Sequence, residues 1–154
     1  MNSKEIFETI KSDCKSLITE AFMGIDIPTF VVEPDSLLEF MKYIKKMPQL
    51  SFDLIADITA VDYPNRAKRF ELVYHIFSIK NAVRIRVKTK VEDGGSVESV
   101  TSIWRGAEWL EREVFDMFGV TFKNHPDLRR ILMNEDYKYH PLKKEFPLQG
   151  YEES

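Results

Sequence analysis

Apolar and polar residues recur with two different periods along this chain, and the switches between them mark its elements. Across residues 3–23, Ile6, Ile10, Cys14, Leu17 and Ala21 fall at helical spacing, with Phe7, Ile18 and Phe22 widening the stripe. Asn2 and Glu5 have the spacing of a capping box, and Gly24 stands where the helix would stop. A helix over 3–23 is therefore predicted, with Cys14 on its buried face. Pro28 introduces a short strand over 29–33. Pro34-Asp35-Ser36 then opens a second helix, with Ser36 and Glu39 as its capping box. Leu37, Met41, Ile44 and Met47 form its inner stripe, Lys42, Lys45 and Lys46 lie outside, and Pro48 ends it.

The period then changes to two. Over 52–61, Phe52, Leu54, Ala56, Ile58 and Ala60 point to one side, with Asp53 and Asp57 on the other. Over 69–78, Phe70, Leu72, Tyr74 and Ile76 alternate with Arg69, Glu71, Val73 and His75. After a turn at Lys80-Asn81, Val83, Ile85, Val87, Thr89 and Val91 alternate with Arg84, Arg86, Lys88 and Lys90, and Asp93-Gly94-Gly95 ends the meander. Such alternation predicts an antiparallel sheet with one buried and one polar face. The basic ridge can face Asp53, Asp57 and Glu71 across the sheet, a pairing worth ~0.2–1 kcal/mol each. His75 reads as a surface histidine.

The helical period returns in 101–118. Thr101 or Ser102 is the candidate cap and Gly119 the stop. Advancing ~100° per residue, Ile103, Ala107, Leu110, Val114 and Met117 form the core face. Trp104, Phe115 and Phe118 extend it, and Glu111 projects among these aromatics. Glu108, Arg112 and Asp116 lie opposite, where Arg112 can pair with either carboxylate. A carboxylate among aromatics needs a cation or backbone donors nearby. Two readings stay open: the helix is covered on both sides by its own chain, or part of its apolar arc is covered by another protein.

Residues 123–154 break the pattern again. Three prolines (126, 141, 147) sit among Arg129, Arg130, Tyr137, Tyr139, Lys143, Lys144, Phe146 and Tyr151. A stretch of ~30 residues without periodicity is uncommon in a compact domain and usually functional. The chain thus divides into an α+β domain over 1–122 and an extended, partner-binding C-terminal arm over 123–154. The fold class is α+β, two-layered, with a mainly antiparallel sheet covered on one face by helices. Arg129 and Arg130 are expected to serve assembly rather than the fold.

Composition narrows the function. A net charge of -3 offers no general reason to bind nucleic acid. The single cysteine forms no internal disulfide, cannot alone ligate an iron–sulfur cluster, and fits a reducing compartment. No apolar run approaches the ~20 residues of a spanning helix. The first residues, with acids from Glu5, resemble neither a signal nor a transit peptide. Residues 123–145 hold six Lys/Arg against four acids, a mildly basic segment on an acidic body.

Catalytic motifs are scarce. Glu111 and Glu113 are ~200° apart on a helix and cannot share a site. Glu113, Asp116 and His125 are the set an acid–base or metal-dependent enzyme would use. His125 and His140 each precede a proline, and neither lies in a zinc-binding motif. There is no Gly-rich phosphate loop, C-x-x-C or nucleophile elbow.

The combination Glu111-Arg112-Glu113, Asp116-Met117-Phe118-Gly119 and His125-Pro126-Asp127-Leu128-Arg129-Arg130-Ile131-Leu132 resembles the 30 kDa subunit of respiratory complex I, the C-type subunit of bacterial NADH:quinone oxidoreductases. His140-Pro141-Leu142-Lys143-Lys144-Glu145-Phe146-Pro147 with Gly150-Tyr151 resembles that family's C-terminal pattern. The likeness is dense from about Asp57 to Tyr151 and weak before residue 50. It implies a non-catalytic subunit of the peripheral arm, on the cytoplasmic side of a bacterial inner membrane, reaching the membrane only through the complex. It implies no cofactor on this chain, with FMN and iron–sulfur clusters on other subunits. The implied partners are the 49 kDa (D-type) subunit and neighbouring iron–sulfur subunits. Glu111, Arg112, Glu113, Asp116, His125, Arg129, Arg130, His140, Lys143 and Lys144 are the candidate partner-binding residues. Related membrane-bound hydrogenases and ferredoxin- or F420-dependent complexes carry a similar module, sometimes fused to the large subunit; this chain resembles the unfused form.

Overall fold

The computed structural model describes residues 1–25, 27–147 and 150. The first helix, α1 (Ser3–Asp13), carries the expected capping box: Asn2 Oδ1 accepts from the Glu5 backbone N–H at 2.8 Å. It ends ten residues earlier than the helical spacing predicts. Residues beyond Cys14 turn back and form strand β1 (Ile18–Gly24) beside β2 (Ile27–Val32). The cause is visible in the burial of β1, where only Ile18, Ala21 and Gly24 are partly covered. A register shift between Ile18 and Glu20 gives this edge strand a period near three, which imitates a helix.

Helix α2 (Pro34–Lys46) starts two residues before the expected cap. Pro34 occupies the first turn, and Glu33 is the N-cap without a side-chain bond, so the Ser36/Glu39 capping box does not form. Strands β3 (Leu54–Asp62), β4 (Phe70–Ser78) and β5 (Val83–Val91) follow as a meander. The five-stranded sheet has the order β1-β2-β5-β4-β3, antiparallel except where β2 meets β5. Short strands β6 (Ser96–Glu98) and β7 (Thr121–Lys123) pair in parallel and flank α3 (Ala107–Phe118) in sequence.

The alternation holds through β5, is blurred in β4, where outward Glu71 and Val73 are also buried, and fails in β3. A bulge between Ile55 and Asp57 reverses the phase, so Ile55 and Ile58 are buried while Leu54 is 46% exposed. All three helices contribute to one core with the inner face of the sheet. Phe30 is packed between Phe7 of α1 and Phe40 of α2, and Phe118 of α3 meets Phe70 edge-on at 5.9 Å. The outer face carries the basic ridge, where Glu71 reaches Lys88 (3.3 Å) and Arg66 (3.7 Å). His75 is less exposed than expected. Arg86 Nε donates to its Nε2, leaving Nδ1 toward Asp57 at 3.5 Å. Burial and then the Arg86 charge hold its pKa below the ordinary value.

Candidate functional site

Helix α3 begins at Ala107, so neither Thr101 nor Ser102 caps it. Residues 101–106 are turns, with Ile103 and Trp104 N–H groups both donating to Val100 C=O. The Thr101 hydroxyl is engaged with Ser99 Oγ at 2.8 Å and is unavailable as a cap. The turn serves Glu111 instead. Glu111 is fully buried and accepts from Ser99 Oγ (2.6 Å) and from the Val100 N–H (2.9 Å). Burial pushes its pKa up to about 7, against the two donors that favour the charge. The buried Tyr74 hydroxyl has no hydrogen-bond partner among the described residues, and burial together with the Glu111 charge raises its pKa. The partners that Glu111 needs thus lie within its own chain.

His125 lies beside this group, its Nε2 3.9 Å from Glu111 Oε1 and its side chain fully buried. Nδ1 accepts the Asp127 N–H at 2.9 Å, so the proton belongs on Nε2, which donates to Glu108 C=O at 3.0 Å. Arg112 pairs with neither Glu108 nor Asp116. Its guanidinium donates to the carbonyls of Arg129 (3.0 Å) and Arg130 (3.2 Å) and packs against Trp109. The expected i±4 pair is displaced because Arg130 takes Asp116.

Asp116 is the anchor of the segment that follows. Fully buried, it accepts three consecutive backbone N–H groups, those of Ile131 (3.1 Å), Leu132 (2.7 Å) and Met133 (2.9 Å), and pairs with Arg130. Burial opposes its charge, but the guanidinium and the three donors together hold its pKa below the ordinary value. Arg130 also donates to the carbonyls of Asp116, Tyr137 and Tyr139, and only 7% of its side chain is exposed. The expectation that Arg129 and Arg130 act alike is corrected: Arg130 is built into the fold. Arg129 is 59% exposed and, among the described residues, its side chain pairs with its neighbour Asp127, at 2.7 and 2.8 Å.

The chain then returns along the domain. His140 Nδ1 lies 2.9 Å from Asp116 C=O, and its ring covers Gly119, where a Cβ would stand 3.0 Å away. Gly119 has φ +80°, the left-handed end of α3. Leu142 N–H donates to Met117 C=O at 3.0 Å. A second buried carboxylate, Asp62, holds Arg69 with two bonds (2.6 and 2.8 Å) and the Lys144 N–H (2.7 Å). The Arg69 bonds keep its pKa below the ordinary range. Glu145 pairs with Arg69, and Lys143 reaches Asp93 (3.1 Å) and Glu145 (3.3 Å). The Lys144 side chain is exposed. Tyr151 lies outside the described residues.

Sequence reasoning missed Asp62 and Ser99. Asp62 reads as a strand-end polar residue, and its partner Lys144 is 82 positions away. Glu113, Asp116 and His125 are not assembled into one site: Asp116 and His125 are each held by separate backbone partners, while Glu113 lines a groove between α3 and β3. Among the described residues no three His, Cys, Asp or Glu side chains are grouped as metal ligands. No helix of the described residues is long and apolar enough to cross a membrane.

Several known proteins resemble this chain. Residues 30–152 match the family described as the respiratory-chain NADH dehydrogenase 30 Kd subunit. A C-type NADH-quinone oxidoreductase subunit of Rhizobium meliloti (strain 1021) is 45% identical over 127 residues, covering 82% of this chain and 70% of that one. The C-type NADH-quinone oxidoreductase subunit of Citrifermentans bemidjiense is 43% identical over 148 residues, covering 96% of this chain and 86% of that one. A solved chain of the membrane-bound sulfane sulfur reductase, an archaeal respiratory membrane complex, superposes with a TM-score of 0.81 at 28% identity, covering 94% of this chain and 85% of that one. The family match contains α3 and every candidate residue from Glu111 to Lys144, so the chain belongs to the family of the 30 kDa subunit of respiratory-chain NADH dehydrogenase, as a subunit of an NADH:quinone oxidoreductase-like complex.

Proposed function

We propose that the chain is a structural and assembly subunit of the peripheral arm, with no catalytic site of its own. One observation carries this reading. The polar side chains that an active site would present to a substrate are directed into the chain itself. Glu111, Arg112, Asp116, His125, Arg130 and His140 all bond to backbone groups between Ser99 and Tyr139. Such a network holds a surface in shape, and it commits these six side chains to the fold rather than to a substrate. FMN and iron–sulfur clusters then belong to other subunits.

The partner is the 49 kDa (D-type) subunit with neighbouring iron–sulfur subunits, and the arm over 123–154 forms part of the contact. Its outward side chains, including Arg129 and Lys144, are the groups placed to meet them. The complex carries the chain on the cytoplasmic side of the membrane. Affinity purification of the tagged chain from its native host, followed by mass spectrometry, tests this. Recovery of a 49 kDa-type subunit together with flavin- and NADH-binding subunits is expected, and recovery of no redox subunit would refute it. Stoichiometric zinc or iron on the purified chain would revive the acid–base or metal-dependent alternative.

A second reading rests on the likeness to the sulfane sulfur reductase chain. In it the chain serves the equivalent place in a membrane-bound hydrogenase or a ferredoxin- or F420-dependent complex. Co-purification of a large subunit with nickel-ligating cysteines, and no NADH-binding subunit, would favour it.

A further inference from the structure

One face of the site remains open. The outer side of α3 and strand β3 border a groove of about 400 Å³. Ile58 and Ala60 of β3, Val114 and Met117 of α3, and Leu132 and Leu142 beyond them line it. Leu132 is 60% exposed and Leu142 55%, an unusual pairing of large apolar side chains on a surface otherwise rich in charge. Trp109, one turn before Glu113 on α3, is also exposed.

Two features say what fits there. Among the described residues β3 is the last strand of its sheet and pairs with β4 alone, so the backbone groups on its free side have no strand partner there. Its nine residues contain neither lysine nor proline to guard the edge, and past the bulge at Ile55–Asp57 its pairing runs unbroken from Asp57 to Asp62. Glu113 lines the same groove and makes no hydrogen bond or ion pair with another described residue. A free strand edge takes an extended chain through main-chain bonds, with pockets for alternate side chains. A carboxylate at an apolar groove selects a cation.

We propose that the groove between β3 and α3 receives an extended apolar segment of a neighbouring subunit, which adds a strand to β3 and sets a lysine or arginine beside Glu113. This rests on the reading of the chain as a subunit of a larger complex. A second copy of the chain is a poor occupant. Pairing β3 with itself about a twofold axis would bring Asp57 and Glu113 toward the same acids of the other copy.

Hydrogen exchange on the isolated full chain and on the purified native complex tests the proposal. Backbone amides within 54–61 should exchange at least about tenfold more slowly in the complex. Glu113→Lys should remove that protection or reduce incorporation, while the isolated variant melts as the unsubstituted chain does. Equal exchange of β3 in the complex and alone overturns the proposal while leaving the subunit reading intact. So does full protection in the Glu113→Lys complex. Protection that appears in the isolated chain with concentration, alongside a dimer in sedimentation, would assign the groove to a second copy and also overturn it. Absence of the chain from any redox complex overturns both readings.

Discussion

Replacing Glu111 by glutamine should remove the pH dependence that this buried carboxyl imposes on stability. The unfolded chain releases the Glu111 proton near its ordinary value of 4.5, and the folded chain near 7. Between those values the folded state holds one more proton, so stability falls as pH rises. The contribution is fully present below 4.5 and lost once pH has passed about 7. Each pH unit of separation corresponds to about 1.4 kcal/mol, so the ionised side chain lowers stability by about 3 kcal/mol at pH 8. Glutamine keeps the shape and can still accept the Val100 N–H while donating to Ser99 Oγ, as the protonated acid does. Urea denaturation of both chains at half-unit intervals from pH 4.5 to 8.5 gives the difference directly, and groups common to both cancel. The variant should match the unsubstituted chain at pH 4.5 and exceed it by about 3 kcal/mol at pH 8. A difference independent of pH would refute the raised pKa. A difference of opposite sign would mean that the fold favours the ionised form of Glu111.

Other substitutions separate the roles of neighbouring residues. Arg130→Ala should cost about 3 kcal/mol in thermal or chemical melting, because it leaves Asp116 and three carbonyls short of a donor. Arg129→Ala should change stability by less than about 0.5 kcal/mol in the same assay. Gly119→Ala places a side chain at φ +80° and 3.0 Å from the His140 ring. It should cost about 1–2 kcal/mol and speed hydrogen exchange at Leu142 and Lys144, whose N–H groups are bonded to the domain. Cys14 is 2% exposed, and burial, with the charges of Asp13 and Glu39, pushes its thiol up to about 11. It should stay unmodified by a thiol reagent at pH 8 in the native chain and react promptly in urea.

The elements that the sequence reveals are those decided by local chemistry. The Asn2/Glu5 box starts α1 as its spacing predicts, and β5 keeps its alternation, while in β4 the outward Glu71 and Val73 are covered as well. Misreadings occur where a bulge changes the period. In β1 the bulged edge strand imitates a helix, and in β3 it moves Leu54 from the core to the surface. The helical wheel correctly isolates Glu111 as a charge needing partners. It cannot find Ser99 and Val100, since their position depends on a turn that ends before α3 begins. Arg112 and Arg130 are indistinguishable from surface arginines until the chain after α3 is seen to fold back onto its last turn.

The nest of three N–H groups around Asp116 also sets an order of events. Its carboxylate is positioned only when α3 is complete, and Asp62 only when β3 and β4 have paired. Lys144 must then find Asp62 across 82 positions of chain. Residues 129–145 therefore find these anchors only on a domain in which α3, β3 and β4 are in place. A chain whose core is misfolded offers these residues no anchors, so its finished outer surface appears only on molecules that have already folded correctly.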